Sequence, residues 1–502
     1  MTLPIFPISI DISETHDLDR NNCPARLGVP FPKGEVYNVN ELALYDENNI
    51  AVQFQAKPTA YWHDSSLRWI FIDFNTTLKA NNQLTYLIKK TELQKDAFNS
   101  NSISISENNQ SITVNTSAAE FEINKQHFSP FTKIKINNKS LPVEATSFTL
   151  ADQHGANFIA IIDQIDKLKQ TQKLTTSINV NGHFENNSNG HKALNFKAVL
   201  RFFANSTLCE IDFTLHNPSA AQHPGGFWDL GDSGSYFFKS LVLQFKLSNK
   251  FATQYKTSLN KDWLKLKSEN NRLYQDSSGG GKWNHHLHID KDKKPTVSFK
   301  GYQLKSNDQI LEHGDRASPL FLINDNHDTS LKVHIKQFWQ NFPKAISVNK
   351  QSLNLELFPN QGNQVYELQG GEQKTHSFIL NVADNLELEQ YIAPLNITLP
   401  LTHYANCDAM PWLPKSYQQN KLDVLINQGI EGDDNFFFKR EETDEYGWRN
   451  FGELWADHET LEHGNDRSLI SHYNNQYDTL YGFARQYMLT GDQRWYELMC
   501  DL

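Results

Sequence analysis

The sequence predicts a multidomain, mainly β protein: a small all-β unit, then a large antiparallel β-sandwich, then the first helices of a helical domain. Three observations lead there. The 502 residues exceed one ordinary domain and predict roughly two to four, each with its own core. From Ser100 to about Pro400, apolar residues alternate with polar ones, as they do in half-buried antiparallel strands. After Pro400 the spacing of apolar residues becomes helical. The expected boundaries are 1–98, 99–400 and 401–502.

In the first unit, short apolar runs at Leu42–Tyr45, Val52–Phe54, Leu67–Phe74 and Leu84–Ile88 are separated by turn clusters. Examples are Pro30-Phe31-Pro32-Lys33-Gly34 and Asp46-Glu47-Asn48-Asn49. This pattern predicts a small barrel or sandwich. Within it Trp62-His63-Asp64-Ser65-Ser66-Leu67-Arg68-Trp69 reads as a tight turn feeding an alternating strand, with its aromatics in the core.

The central region alternates at Phe196/Ala198/Leu200/Phe202, Ile211/Phe213/Leu215, Leu241/Leu243/Phe245/Leu247, Leu331/Val333/Ile335 and Leu353/Leu355/Leu357. Roughly three hundred residues of this kind exceed an immunoglobulin-sized unit and predict a large two-sheet sandwich. Two loops interrupt it. His223–Ser235 is Gly-rich and carries Trp228, Asp229 and Asp232; a long turn needing positive φ explains it as well as a binding role does. Ser277–His288 looks mobile, carries Trp283 and ends in three histidines. His286 and His288 would share a strand face with no third ligand in register, so no metal or other cofactor is expected.

Beyond Pro400, Ser416 can cap a helix whose apolar positions Leu422, Leu425 and Ile426 fall at i, i+3 and i+4, with Gly429 just past its end. Tyr473, Tyr477, Leu480, Tyr481, Ala484, Tyr487 and Met488 then share one helical face. Gly491 stops that helix and Asp492 can cap the next, on which Trp495, Leu498, Met499 and Leu502 align. The pair cannot bury both faces alone, so it reads as the opening of a larger helical domain that continues past Leu502.

Chemically versatile residues concentrate between Tyr446 and Asp478. Trp448, Trp455, Tyr446 and Tyr473 offer faces for pyranose rings. Arg449, Asn450 and Asn474 suit carboxylates and hydroxyls, and His458, His472 and Asp457 can hold or move protons. The mixture suits a sugar site. The plainer alternative is a polar connection that caps the following helix, with its aromatics simply buried.

Composition excludes several partners. With 58 acidic and 47 basic residues the net charge is -11, and no run of Lys or Arg marks a nucleic-acid footprint. The same charge would repel a polyanion, so an acidic polysaccharide needs a locally positive cleft, for which Lys439, Arg440, Arg449 and Arg467 are candidates. Cys23, Cys209, Cys407 and Cys500 are far apart, in no metal or redox spacing, and read as free, buried thiols. No apolar run approaches a membrane span, and the N-terminus lacks a basic region followed by an apolar one. A soluble protein is expected, cytoplasmic as written, or secreted or periplasmic if the true start lies upstream. Oligomeric state is left open.

Read together, several landmarks resemble the exo-rhamnogalacturonan lyase-like proteins. They are Arg26–Gly34, Trp62–Trp69, Gly225–Ser235, Trp339–Ala345, Gly370–His376, Tyr446–His458 and the Tyr477–Asp492 helix. The resemblance implies an N-terminal RIFT barrel, a central β-sandwich and a C-terminal α/α toroid of which only the first helices are present. It also implies β-elimination on an acidic, rhamnose- and uronate-containing polysaccharide.

Such a reaction must neutralise the uronate carboxylate, remove the proton α to it, and release the oxygen at C4. Arg449 and Asn450 are the candidates for the carboxylate and the enolate-like charge. His458 is the candidate base, oriented by Asp457 or Glu459; a helix-entry residue bonded to backbone is its other reading. Tyr446 or Tyr473 could act as acid, or as base beside a cation. Trp448 and Trp455 would form stacking walls, with His472, Asn474, Trp228 and Trp283 as further binding residues. Two other functions compete: a toroid glycoside hydrolase with paired carboxylates among Asp457, Glu459, Glu462 and Asp466, and a non-catalytic carbohydrate-binding protein.

Overall fold

A computed structural model describes residues 5–91, 103–141, 143–167, 174–223, 230–247, 251–324, 330–362, 364–383, 388–414, 420–454 and 477–502. Two small sheets enclose the first core. One has the strand order Asn396–Thr398, Ile8–Ser13, Gln83–Lys90, Leu42–Tyr45 and Ala51–Val52; the other places Leu67–Leu78 between Arg20–Pro30 and Phe54–Tyr61. Alternation in Ile8–Ser13 turns Ile8, Ile10 and Ile12 inward, where they meet Val29, Ile70, Ile72 and Ile88. Each fully buried side chain of this kind contributes about 1.5–3 kcal/mol. Pro58 is accommodated because its strand lies at a sheet edge, and the ladder shifts register beside it.

The barrel is tied to the end of the sandwich region. Antiparallel pairing sets Asp11 opposite Thr398 and Ser13 opposite Asn396. Arg20 is fully buried beside Glu14, 2.6 Å away, and also donates to the carbonyls of Gln390 and Ala393. Burial alone would raise the Glu14 pKa. The Arg20 guanidinium and the amides of Asn81, Leu18 and His16 override it and hold the carboxyl at about 2.

In the central region the ladder is continuous. It runs from Gln309–Gly314 through Tyr302–Ser306, Asn271–Gln275, Lys344–Val348 and Ser352–Phe358 to Tyr236–Leu247. From there it passes through Val143–Asp152, Asn157–Lys167, Thr175–Glu185, Lys192–Phe203 and Leu208–His216 to Gln373–Asn381, Ser330–Ile335 and Leu320–Asn324. Every pairing is antiparallel, and one core holds the inward residues from both halves, including Phe148 and Phe213 with ring centroids 4.1 Å apart. A separate five-stranded sheet over 104–140 adds Phe121 and Phe131, which pack on Phe202. Ser330–Ile335 departs from the expected half-burial. Lys332 and His334 are buried as well as Leu331, Val333 and Ile335, because the strand is covered on both faces.

Helices begin at Glu389–Ile392, and Leu401–Cys407 and Lys421–Asn427 follow. The cap of Lys421–Asn427 is Asn420, whose side chain accepts from Leu422 and Asp423 amides while Asp423 accepts from the Asn420 amide. Ser416 lies outside the described residues. That capping box turns Asp423 inward, so Leu422 and Leu425 are exposed and only Ile426 of the expected apolar face packs against neighbours.

Thr479–Thr490 and Gln493–Asp501 are joined by Gly491 in left-handed conformation and capped by Asp492, whose side chain accepts from the Arg494 amide. Their inner faces bring Phe483, Trp495 and Leu498 onto Ile430 and Leu454. The helix starts later than its aromatic spacing suggests, because Tyr477 and Asp478 both have φ near +60°. Cys23, Cys209 and Cys407 are buried free thiols, whereas Cys500 is exposed. Among the described residues no helix is long and apolar enough to cross a membrane.

Candidate functional site

A cavity of about 630 Å³ opens where the sandwich meets the helical region. Gln153, Leu230 and Phe237 wall it together with residues of Leu287–Ser298, Phe342-Pro343, Gln361-Gly362, Gln364–Glu367 and Tyr446–Asn450. The last is a single helical turn held against the sandwich by two backbone bonds, Gly447 to the Gln340 carbonyl and Trp448 to that of Phe342. Gly447 is required there. Its φ is +93°, and a Cβ would stand 3.2 Å from the Phe342 ring.

One polar side chain of this wall, His288, is paired with a carboxylate that lies behind it. His288 Nε2 lies 2.6 Å from Asp444 Oδ2, and Ser278 donates its hydroxyl to Asp444 Oδ1. All three residues are buried, and an unpaired carboxylate there would cost several kcal/mol, so the partners are obligatory. Asp444 adopts φ 50°, a conformation that Asp tolerates, just before the Tyr446 turn. The loop that supplies Ser278 and His288 is packed at both ends, whereas Gly281, Lys282, Asn284 and His286 between them are exposed. Ser277 and Ser278 are fully buried, and Gly279 is required because a Cβ there would lie 2.2 Å from the Asp315 carbonyl oxygen. His286 and His288 sit in turns, not on a shared strand face. Burial, together with His286 and His288 close by, lowers the His285 pKa to about 4.

Arg449 lines the cavity but is already engaged. Nη1 contacts both Glu372 oxygens at 3.1 and 3.3 Å, Nη2 donates to the Glu367 carbonyl, and the guanidinium lies 4.5 Å from the Trp448 ring centroid. Trp448 packs edge-on against Phe358 and Tyr366, which fixes its plane. Tyr446 is buried and donates to Glu441 Oε1 at 2.7 Å. Burial first, then Glu441, pushes its pKa well above the usual phenol range, so of the two roles its residue type allows, that of base is not supported. Glu441 also takes a two-pronged contact from Arg316, whose guanidinium covers Trp339 at 4.1 Å. Lys291 and Lys294 add cations to the rim, each beside Asp292.

Of the residues expected to act, Tyr446, Trp448, Arg449 and Asn450 thus share one cavity. Trp283 is half-buried and is not part of its wall. His458, Tyr473, Trp455, Asp457, His472, Asn474 and Trp228 lie outside the described residues, as do Glu459, Glu462, Asp466 and Arg467. Asp232 is a structural residue, accepting from the amides of Gln222, His223 and Gly234. Lys439 and Arg440 line a different cavity of about 260 Å³. Sequence reasoning missed the His288–Asp444 pair, whose members are 156 positions apart. The three-histidine run was the only hint of one of them.

Over 378 residues the chain is 21% identical to the protein YetA of Bacillus subtilis (strain 168), covering 67% of this chain and 42% of that one. The chain therefore spans less than half the length of this relative. Among solved structures, a protein in the glycosyl hydrolase family 38 from Enterococcus faecalis aligns with a TM-score of 0.44 and 8% identity, over 79% of this chain and 48% of that one. A galactose mutarotase-like protein from Clostridium acetobutylicum aligns with a TM-score of 0.31 and 10% identity, over 56% and 98% respectively. Residues 14–89 match the family model of the PcRGLX-like N-terminal RIFT barrel domain, so the first of the chain's β units is a RIFT barrel.

Proposed function

We propose that this protein is a polysaccharide lyase-like enzyme that cleaves an acidic, rhamnose- and uronate-containing polymer by β-elimination in the cavity beside Tyr446–Asn450. The observation that carries the reading is that one hollow is lined by an indole, a guanidinium, an amide and a histidine held by a buried carboxylate. The RIFT-barrel match supports a carbohydrate-active protein of the rhamnogalacturonan lyase-like kind.

In this reading Arg449, with Lys291 at the rim, meets the uronate carboxylate, and Asn450 adds an amide donor as negative charge develops on the enolate. Trp448 stacks on the sugar ring. With Nε2 bonded to Asp444, His288 has Nδ1 left to take the α proton, and the forming imidazolium is stabilised by the carboxylate behind it. Tyr446 is protonated at neutral pH and its one hydroxyl proton is held by Glu441, so to serve as donor to the departing C4 oxygen it must first release that bond. His458 and Tyr473 remain candidates for the same two steps.

Full-length protein incubated with rhamnogalacturonan tests this directly. Elimination leaves a double bond conjugated to the carboxylate, read as rising ultraviolet absorbance. Saturated fragments would replace the lyase with a hydrolase, and binding without cleavage would leave a carbohydrate-binding protein.

A further inference from the structure

A second cavity, of about 610 Å³, lies on the outward face of the sandwich and shares Gln361 with the first. Strand register builds its floor. Tyr274 stands opposite Gln303 on one side and Ala345 on the other, and Arg272 stands opposite Lys305 and Ser347. Side chains two apart on a strand share a face, so Arg272, Tyr274, Gln303, Lys305 and Ser347 all project outward, while Leu273, Leu304 and Ile346 fill the core.

Hydrogen bonds join the floor to the wall. Glu356 is bound by Arg272 at 3.2 and 2.8 Å and by the Ser347 hydroxyl at 2.7 Å, and Arg272 Nη1 donates to Gln361 Oε1 at 2.7 Å. The Arg272 charge is thus neutralised by Glu356, which lies behind the lining, while Lys305 and Asp308 contribute one charge of each sign to it. What remains is a surface of side-chain amides beside the half-buried Phe299 ring, whose centroid is 6.0 Å from that of Tyr274, itself buried beneath Arg272. Amides suit sugar hydroxyls, and once Glu356 behind the lining is counted, Arg272 and Lys305 are matched by Glu356 and Asp308 among the described residues, so no surplus cation is left for a carboxylate.

We infer that this second cavity is a subsite for a neutral sugar unit of the same polymer whose uronate occupies the first, the chain passing from one to the other over Gln361. The inference rests on reading the first cavity as a sugar site. The chain is held by charge at one position and by hydroxyl recognition at the next, so affinity grows with oligosaccharide length.

The test is calorimetric titration of the full chain with a disaccharide and a hexasaccharide prepared from rhamnogalacturonan, repeated for Gln303→Ala/Asn349→Ala. Both replacements leave the Arg272–Glu356 pair untouched. The expected result is that the hexasaccharide binds wild type more tightly and loses about tenfold in the variant, as removing two neutral hydrogen bonds predicts, while disaccharide affinity does not change. Equal affinities for the two lengths, or a variant indistinguishable from wild type on the hexasaccharide, overturn this inference alone. Failure of wild type to bind either ligand overturns the lyase reading with it.

Discussion

His288 Nε2 is 2.6 Å from Asp444 Oδ2, so the cavity's imidazole is fixed by a carboxylate from the other side of the seam between sandwich and helices. If His288 takes the α proton, His288→Gln lowers kcat for elimination by about 10²–10⁴ with little change in KM. Asp444→Asn keeps a hydrogen-bonding partner but loses the charge that stabilises an imidazolium. A smaller loss in kcat is expected, again with little change in KM. Stopped-time absorbance assays over a pH series, with thermal melts to check folding, separate these outcomes.

Arg449 is occupied by Glu372, and the pair sets how strongly the cavity attracts an anion. Glu372→Gln frees a charged donor and should tighten uronate binding about tenfold, whereas Arg449→Ala should weaken it by at least as much. Titration with galacturonic acid oligomers at low and high salt measures both, and the gain in Glu372→Gln should shrink as salt rises.

Arg20 and Glu14 hold the barrel to the Gln390–Ala393 segment. Arg20→Met leaves a carboxylate buried without its cation and is expected to destabilise the protein by about 3–5 kcal/mol, read as a lower urea midpoint. The wild-type pair also has an acid signature. Because the folded Glu14 pKa is depressed to about 2, its contribution is complete above the unfolded value of about 4.3 and disappears as pH falls through 2. Glu14→Gln should flatten that part of the stability curve.

Glu445 behaves in the opposite way. Burial, then the neighbouring Glu453 carboxylate, raises its pKa to about 8. The folded state therefore binds a proton that the unfolded state gives up at about 4.3, and stability falls as pH rises from there through 8. Glu445→Gln removes the titration, so its melting temperature should exceed that of wild type at pH 8 and match it near pH 4. Scanning calorimetry across that range checks the sign.

How far the sequence foretold this molecule depended on how local each signal was. Alternation in Phe196–Phe202, Ile211–Leu215 and Leu241–Leu247 reported directly on a two-sided environment, and the apolar residues at every second position, starting from the first of each run, are buried. Gly491 and Asp492 marked a helix junction because caps are made by adjacent residues. Leu422 and Leu425 misled because a capping box rotated a seven-residue helix away from its apolar face. The cluster around Tyr446 was visible as composition. Its pairing was not: Glu372, Asp444 and His288 meet only once distant strands and turns are assembled, and no spacing along the chain encodes that meeting.

The closing strand Asn396–Thr398 has a consequence for biosynthesis. The N-terminal sheet gains its outer ladder only when residues 396–398 reach Asp11–Ser13, so a nascent chain carries that border of Ile8–Ser13 bare while the whole sandwich is being made. An uncovered border of this sort invites mispairing between neighbouring polypeptides. A version cut after residue 91 should therefore associate with itself, and supplying 388–414 in trans should suppress that association.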